Sequence, residues 1–134
     1  MNDIKVIRFD NLHDIELPHV FECGQCFRWN ECEDGSYIGV AGGHAAHVSL
    51  EHNGDSCSLI IECTGGSEKY WHSYFDLDTD YGAMKKALLA GEPKLAKSID
   101  VCHGIRILNQ DYWEVLISFI VSQNNNIPRI KKCI

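Results

Sequence analysis

The sequence predicts an α+β fold, an antiparallel sheet with flanking helices followed by the first helices of an all-α domain. Three observations carry this. Short apolar stretches between Phe27 and Cys63 are separated by glycine turns at hairpin spacing. After Thr64-Gly65-Gly66 the apolar period changes from that of strands to that of helices. Last, Asp111 to Arg129 reads DYWEVLISFIVSQNNNIPR, an apolar helix, a polar corner and the start of a second helix.

Taken in order, Ile4, Val6, Ile7 and Phe9 predict a first strand broken at Asp10-Asn11, and Ile15-Glu16-Leu17-Pro18 a short extended piece ending at its proline. A turn around Gly24 feeds a strand from about Phe27, and Asp34-Gly35 turns it into Tyr37–Val40. Gly42-Gly43 turns the chain again, and Ala46–Leu50 and Ser58–Cys63 pair around Asn53-Gly54. The result is a meander of four or five strands with its helices on one side. Ser67–Tyr74 reads as a helix, Tyr81 to Gly91 as an amphipathic one, and Pro93–Ile99 as a short one. A linker falls near 100–105, dividing 1–104 from 105–134.

The helix after Asp111 opens with a capping-box pair, Asp111 and Glu114. Trp113, Leu116, Ile117, Ile120 and Val121 recur at helical steps, with Val115 and Phe119 widening the stripe, so deep burial is expected. Gln123-Asn124-Asn125-Asn126 ends it, and Pro128 suits the first turn of the next helix. Arg129 then stands one turn in, beside the corner.

With 134 residues and 45% apolar side chains, the chain is one domain or one and part of another, and is not disordered. It has no apolar run of about 18 residues, and no membrane partner is expected. Its charged start, MNDIKVIRFDN, is unlike a signal peptide. Seven cysteines without an export signal read as reduced thiols, not a disulfide framework. The net charge of −7 argues against a nucleic-acid surface over the whole chain. Residues 101–134, however, carry Arg106, Arg129, Lys131 and Lys132 against only Asp111 and Glu114. Any DNA contact therefore belongs mostly to the C-terminal piece.

Two motifs stand out, Gly24-Gln25-Cys26-Phe27-Arg28-Trp29 and SFIVSQNNNIPRI. Each has a bland reading, a turn glycine before a strand and a capped turn between helices. Together, and with Tyr74–Asp78 and Arg106–Asp111 between them, they resemble the 8-oxoguanine DNA glycosylases over nearly the whole chain. The resemblance implies a sheet domain of the TATA-binding-protein-like type and the excision of 8-oxoguanine opposite cytosine by base flipping, with glycosylase and lyase chemistry. Damaged double-stranded DNA is the implied partner. No metal or organic cofactor is implied.

It also implies roles. In the family, the backbone carbonyl at the position of Gly24 reaches the flipped lesion. Guanine N7 is an acceptor and becomes a donor on oxidation at C8, so a carbonyl there accepts from the lesion and repels normal guanine. Asn124 matches the asparagine that enters the gap left by the extruded base, with Asn125, Asn126 and Ile127 beside it. Arg129 matches the arginine that donates to the unpaired cytosine, whose N3 and O2 suit a donor-only fork. The family often has serine where this chain has Cys26. An alkylpurine glycosylase of the same superfamily is disfavoured by the Gly24–Trp29 string.

The family's glycine hairpin, lysine nucleophile and assisting aspartate match nothing up to Ile134. The 134 residues by themselves are thus expected to be catalytically silent, and their apolar helix to self-associate. The implied location is the nucleoid if bacterial and the nucleus if eukaryotic. The rival reading is a non-catalytic α+β binding or oligomerising module, stabilised by zinc on Cys23 and Cys26 with Cys32 and His13 or His19. His44 and His47 fall on opposite strand faces, unsuited to joint chelation.

Overall fold

The structure, a computed structural model, describes residues 4–134. Met1 to Asp3, part of the charged start, lie outside the described residues. Five strands form one antiparallel sheet in the order β1-β5-β4-β3-β2: β1 Lys5–Leu12, β2 Trp29–Glu31, β3 Tyr37–Ala41, β4 His44–Asn53 and β5 Ser56–Cys63. β2 to β5 are the predicted meander, and β1 closes the far edge against β5. The predicted break in β1 is a register shift between Phe9 and Leu12, with Asn11 at φ 56°. The strand resumes after it.

One face of the sheet is the core face. Ile7, Tyr37, Val48, Leu59 and Ile61 alternate inward along their strands and pack with α1 (Leu17–Phe21) and α2 (Glu68–Tyr74). α1 corrects the expected extended piece at Ile15–Pro18. Pro18 stands in its first turn, where a missing N–H costs nothing, and Leu17, Val20 and Phe21 supply a buried i, i+3, i+4 face. Phe21 stacks on Trp29 at 4.5 Å, and the Trp29 indole donates to the Tyr74 hydroxyl at 2.9 Å. At Gly39 a Cβ would lie 2.5 Å from the Arg28 carbonyl and 2.6 Å from the Trp29 ring. The missing side chain is what lets Trp29 lie across β3.

α2 is capped by Ser67, and α3 (Tyr81–Gly91) by Asp80. A 3₁₀ turn at Pro93–Leu95 leads into α4 (Ala96–Val101). A strap then crosses back over the sheet domain, burying Gly104, Arg106 and Leu108 in alternation. α5 (Tyr112–Ser122) and α6 (Ile127–Cys133) follow as predicted.

The expected deep burial of α5 is not found. It has no buried residue, and Tyr112, Trp113 and Phe119 are 93, 67 and 63% exposed. An apolar sequence makes burial favourable, but a facing surface must realise it. Among the described residues, α5 meets Arg28 through Glu114 and α6 beyond the corner, and its apolar side chains stay largely uncovered. The expected capping box is half formed as well. Asp111 accepts from the Trp113 and Glu114 amides at 3.0 Å, while Glu114 turns to Arg28 at 2.6 Å. No helix of the described residues is long and apolar enough to cross a membrane.

Candidate functional site

The loop from Glu22 to Arg28 is fixed from three sides. Gly24 sits at its exposed tip with φ 89°, a conformation that glycine adopts without strain, and nothing lies within 4 Å of where a Cβ would be. The space in front of this backbone is open. Among the described residues no hydrogen bond uses the Gly24 carbonyl.

Gln25 anchors the loop from beneath, a role the sequence reading did not give it. Its amide nitrogen donates to the carbonyls of Val20 (2.8 Å) and Arg106 (2.7 Å). Its amide oxygen accepts from the Leu108 N–H at 2.9 Å, and its own carbonyl accepts from Gln110 at 2.6 Å. A glutamine directly after a turn glycine, with four hydrogen bonds to give or take, was the available signal. Cys26 is buried next to it, and burial pushes its thiol up to about 12.

Arg106 secures the strap that Gln25 grips. The guanidinium lies 4.6 Å over the Tyr81 ring and donates to the carbonyls of Asp76 (2.8 Å) and His13 (2.9 Å). Burial holds its pKa below the usual arginine value. This corrects the charge map: Arg106 is 5% exposed and is a structural cation, not part of a DNA-facing surface. Lys131 is committed as well. Its ammonium donates to the Glu22 carboxylate (3.2 Å) and the Trp29 carbonyl (3.0 Å), docking α6 on both flanks of the Gly24 loop. Ile130 is buried beside it.

At the corner between α5 and α6 the three asparagines divide their tasks. Asn124 takes φ 49°, the left-handed turn that asparagine tolerates. Asn125 reaches back to the Val121 carbonyl at 3.0 Å, and Asn126 caps α6 by accepting from the Arg129 N–H at 3.1 Å. That leaves the Asn124 side chain and the Arg129 guanidinium exposed, each without a hydrogen-bond or ion-pair partner among the described residues. Ile127 is also exposed. Docking through Lys131 therefore joins the element bearing Asn124 and Arg129 to the loop bearing Gly24.

The zinc set imagined around Cys23 does not assemble. Cys23 contacts the Val20 carbonyl and Cys26 the Phe21 carbonyl, and neither joins a group of three converging ligand atoms among the described residues. His44 packs edge-on against Tyr70 on the core side of β4, and His47 faces the other way, as their spacing predicts.

Comparison with known proteins agrees with the two motifs. The family described as 8-oxoguanine DNA glycosylase, N-terminal domain, matches residues 7–116. The N-glycosylase/DNA lyase of Arabidopsis thaliana is 27% identical over 90% of this chain, and that of Saccharomyces cerevisiae 29% over 91%. The chain spans about a third of these relatives, 34% and 35% of their lengths. The apo crystal structure of the 8-oxoguanine glycosylase/lyase of Clostridium acetobutylicum superposes with a TM-score of 0.83 at 44% identity, covering 98% of this chain and 46% of that one. The same enzyme in complex with double-stranded DNA containing cytosine opposite 8-oxoguanine gives 0.80 at 41%, covering 100% and 47%. With that family model matched over most of this chain and the fold shared with solved members, the chain belongs to the 8-oxoguanine DNA glycosylase family, whose N-terminal domain its residues 7–116 represent.

Proposed function

We propose that this chain supplies the lesion-reading and cytosine-reading parts of an enzyme that recognises and excises 8-oxoguanine opposite cytosine in double-stranded DNA. The observation that carries the reading is the docking of α6 on the Gly24 loop. It joins the loop with an open, unpaired backbone carbonyl to the element with the exposed Asn124 and Arg129. In this reading 1–104 is the N-terminal α+β domain and 105–134 begins the helical one. The Gly24 carbonyl accepts from N7–H of the extruded lesion. Asn124 fills the vacated place in the duplex, with Asn125, Asn126 and Ile127 shaping the corner, and Arg129 donates to N3 and O2 of the orphaned cytosine.

The chemistry of base removal needs an amine nucleophile. Lys131 is held by Glu22 and the Trp29 carbonyl, and Lys85 by Asp14 and the His103 carbonyl, and neither Lys131 nor Lys132 follows a glycine hairpin of the kind that precedes the family's nucleophile. In this reading these 134 residues alone give no borohydride-trapped crosslink to lesion DNA. The nucleophile belongs to the part of the relatives' length that the chain does not span.

The test is Arg129→Ala in a polypeptide that carries this chain at the relatives' full length. Cytosine left without its donor costs about 1–3 kcal/mol, so the cytosine-to-adenine ratio of single-turnover excision rates falls about ten-fold. Four equally reduced rates would make Arg129 a phosphate contact or a fold residue. The exposed apolar face of α5 supports a further property, self-association of the 134-residue chain, which sedimentation measures.

A further inference from the structure

The face of the sheet turned away from α1 and α2 carries a cluster that DNA repair does not use. Cys32, Asp34 and Ser36 lie on the turn joining β2 to β3, closed by hydrogen bonds between Cys32 N–H and the Ser36 carbonyl (2.8 Å) and between Gly35 N–H and the Cys32 carbonyl (3.0 Å). His47 projects from β4 toward this turn. Its Nε2 lies 2.7 Å from the Ser36 hydroxyl, and its Nδ1 lies 2.9 Å from the Glu62 carboxylate on β5. The Cys32 sulfur, an Asp34 carboxylate oxygen and a His47 ring nitrogen all fall within 4.8 Å of one another.

We propose that Cys32, Asp34 and His47 form a binding site for a divalent transition metal of the zinc type. One sulfur, one imidazole nitrogen and one carboxylate oxygen make a borderline-soft ligand set, which suits zinc or cobalt and not magnesium or calcium. A thiolate and a carboxylate together balance the charge of a divalent ion. Tetrahedral ligands stand about 3.3–3.6 Å apart at zinc bond lengths, so the donors need to close by about an ångström. Asp34 Oδ1 accepts from the Ser36 N–H (3.0 Å) and the Ser36 hydroxyl (2.5 Å), which leaves His47 Nε2 as the donor to that hydroxyl, so the ion takes the place of the Nε2 proton. Rotation of the exposed Asp34 and the half-buried Cys32 and His47 closes the distance without moving the paired backbone of β3 and β4. Glu62 is the second observation. A metal-binding histidine characteristically gives its other ring N–H to a carboxylate, which leaves the inner nitrogen as a lone pair facing the metal. Glu62 stands at His47 Nδ1, while Nε2 meets Ser36 of the turn that bears Cys32 and Asp34. Water completes the coordination, next to the Ser36 hydroxyl. The ion would clip the turn of the three-residue edge strand β2 to the central strand β4. This inference is independent of the repair reading.

The experiment is titration of the reduced, chelator-treated chain with Co²⁺ and then Zn²⁺, followed by absorbance. One equivalent of Co²⁺ is expected to produce a thiolate-to-cobalt charge-transfer band and the visible bands of a tetrahedral site, both erased by Zn²⁺. Cys32→Ser abolishes the charge-transfer band, with an unchanged far-ultraviolet circular dichroism spectrum showing that the fold persists. Asp34→Asn and His47→Gln each weaken binding at least ten-fold. Glu62→Gln, which touches no metal, weakens it about ten-fold. Cys23→Ser, at an exposed thiol elsewhere, changes nothing. Absence of stoichiometric uptake overturns the proposal. So does a charge-transfer band that survives Cys32→Ser, which would assign the metal to another exposed cysteine.

Discussion

Replacing Gln25 with alanine removes three hydrogen bonds at once, those to the Val20 and Arg106 carbonyls and from the Leu108 N–H. A neutral hydrogen bond contributes about 1 kcal/mol net, and a buried group left without its partner costs about 1–3 kcal/mol. Arg106 and Leu108 are each 5% exposed, so water cannot fully replace the lost amide at those two. The expected loss is about 3 kcal/mol. Urea unfolding followed by fluorescence of the buried Trp29 and Trp71 reads it directly. With a slope of about 2 kcal/mol/M, the midpoint falls by about 1.5 M. Gln25→Glu sharpens the test. It keeps an acceptor for Leu108 but turns a carboxylate oxygen toward two carbonyls. Protonation relieves that repulsion, so the folded state raises the introduced carboxyl's pKa above its unfolded value near 4.3. A raised carboxyl pKa means that the folded state holds the proton more tightly. The deficit is therefore smallest at low pH, where a single O–H still leaves one of the two carbonyls without its donor, and it grows as pH rises from the unfolded pKa through the folded one. A loss below about 1 kcal/mol for Gln25→Ala, or a Gln25→Glu deficit that does not grow with pH, would refute the claim that this glutamine holds the lesion loop.

Three other outcomes are expected. Gly39→Ala forces a methyl against the Arg28 carbonyl and the Trp29 ring, and should cost about 1–3 kcal/mol in the same unfolding measurement while shifting tryptophan emission. At pH 8 iodoacetamide should alkylate the exposed Cys23, Cys102 and Cys133 first, as intact mass reports. Cys26, with its thiol raised to about 12 by burial, stays unmodified in the folded chain. Binding of the 134-residue chain to duplex DNA should be weak, with a logarithmic salt slope of about −2, because among the described residues Arg106 and Lys131 are held by intrachain partners while Arg129 and Lys132 have none. A slope near −4 would return Arg106 and Lys131 to the DNA surface.

The sequence by itself determined the α+β class, the meander from β2 to β5 and the two motifs. Those features rest on local physics: period-two alternation, glycine at turns, and capping side chains a few residues from the amides they serve. The corner at Asn124 to Arg129 was legible for the same reason, since its contacts span at most four residues. Tertiary structure alone decided which cations are free and what holds the Gly24 loop. Arg106 reads as a surface charge until carbonyls 27 to 93 residues away enclose it, and Gln25 reads as a turn residue until the strap at 106–108 arrives 81 residues later. The helix at Leu17–Phe21 is similar. Its proline favours an extended reading locally, and only the core that buries Val20 and Phe21 tips the balance. The apolar face of α5 shows the converse. Its composition made burial favourable, but burial needs a facing surface, and no periodicity within one helix can say where that surface stands.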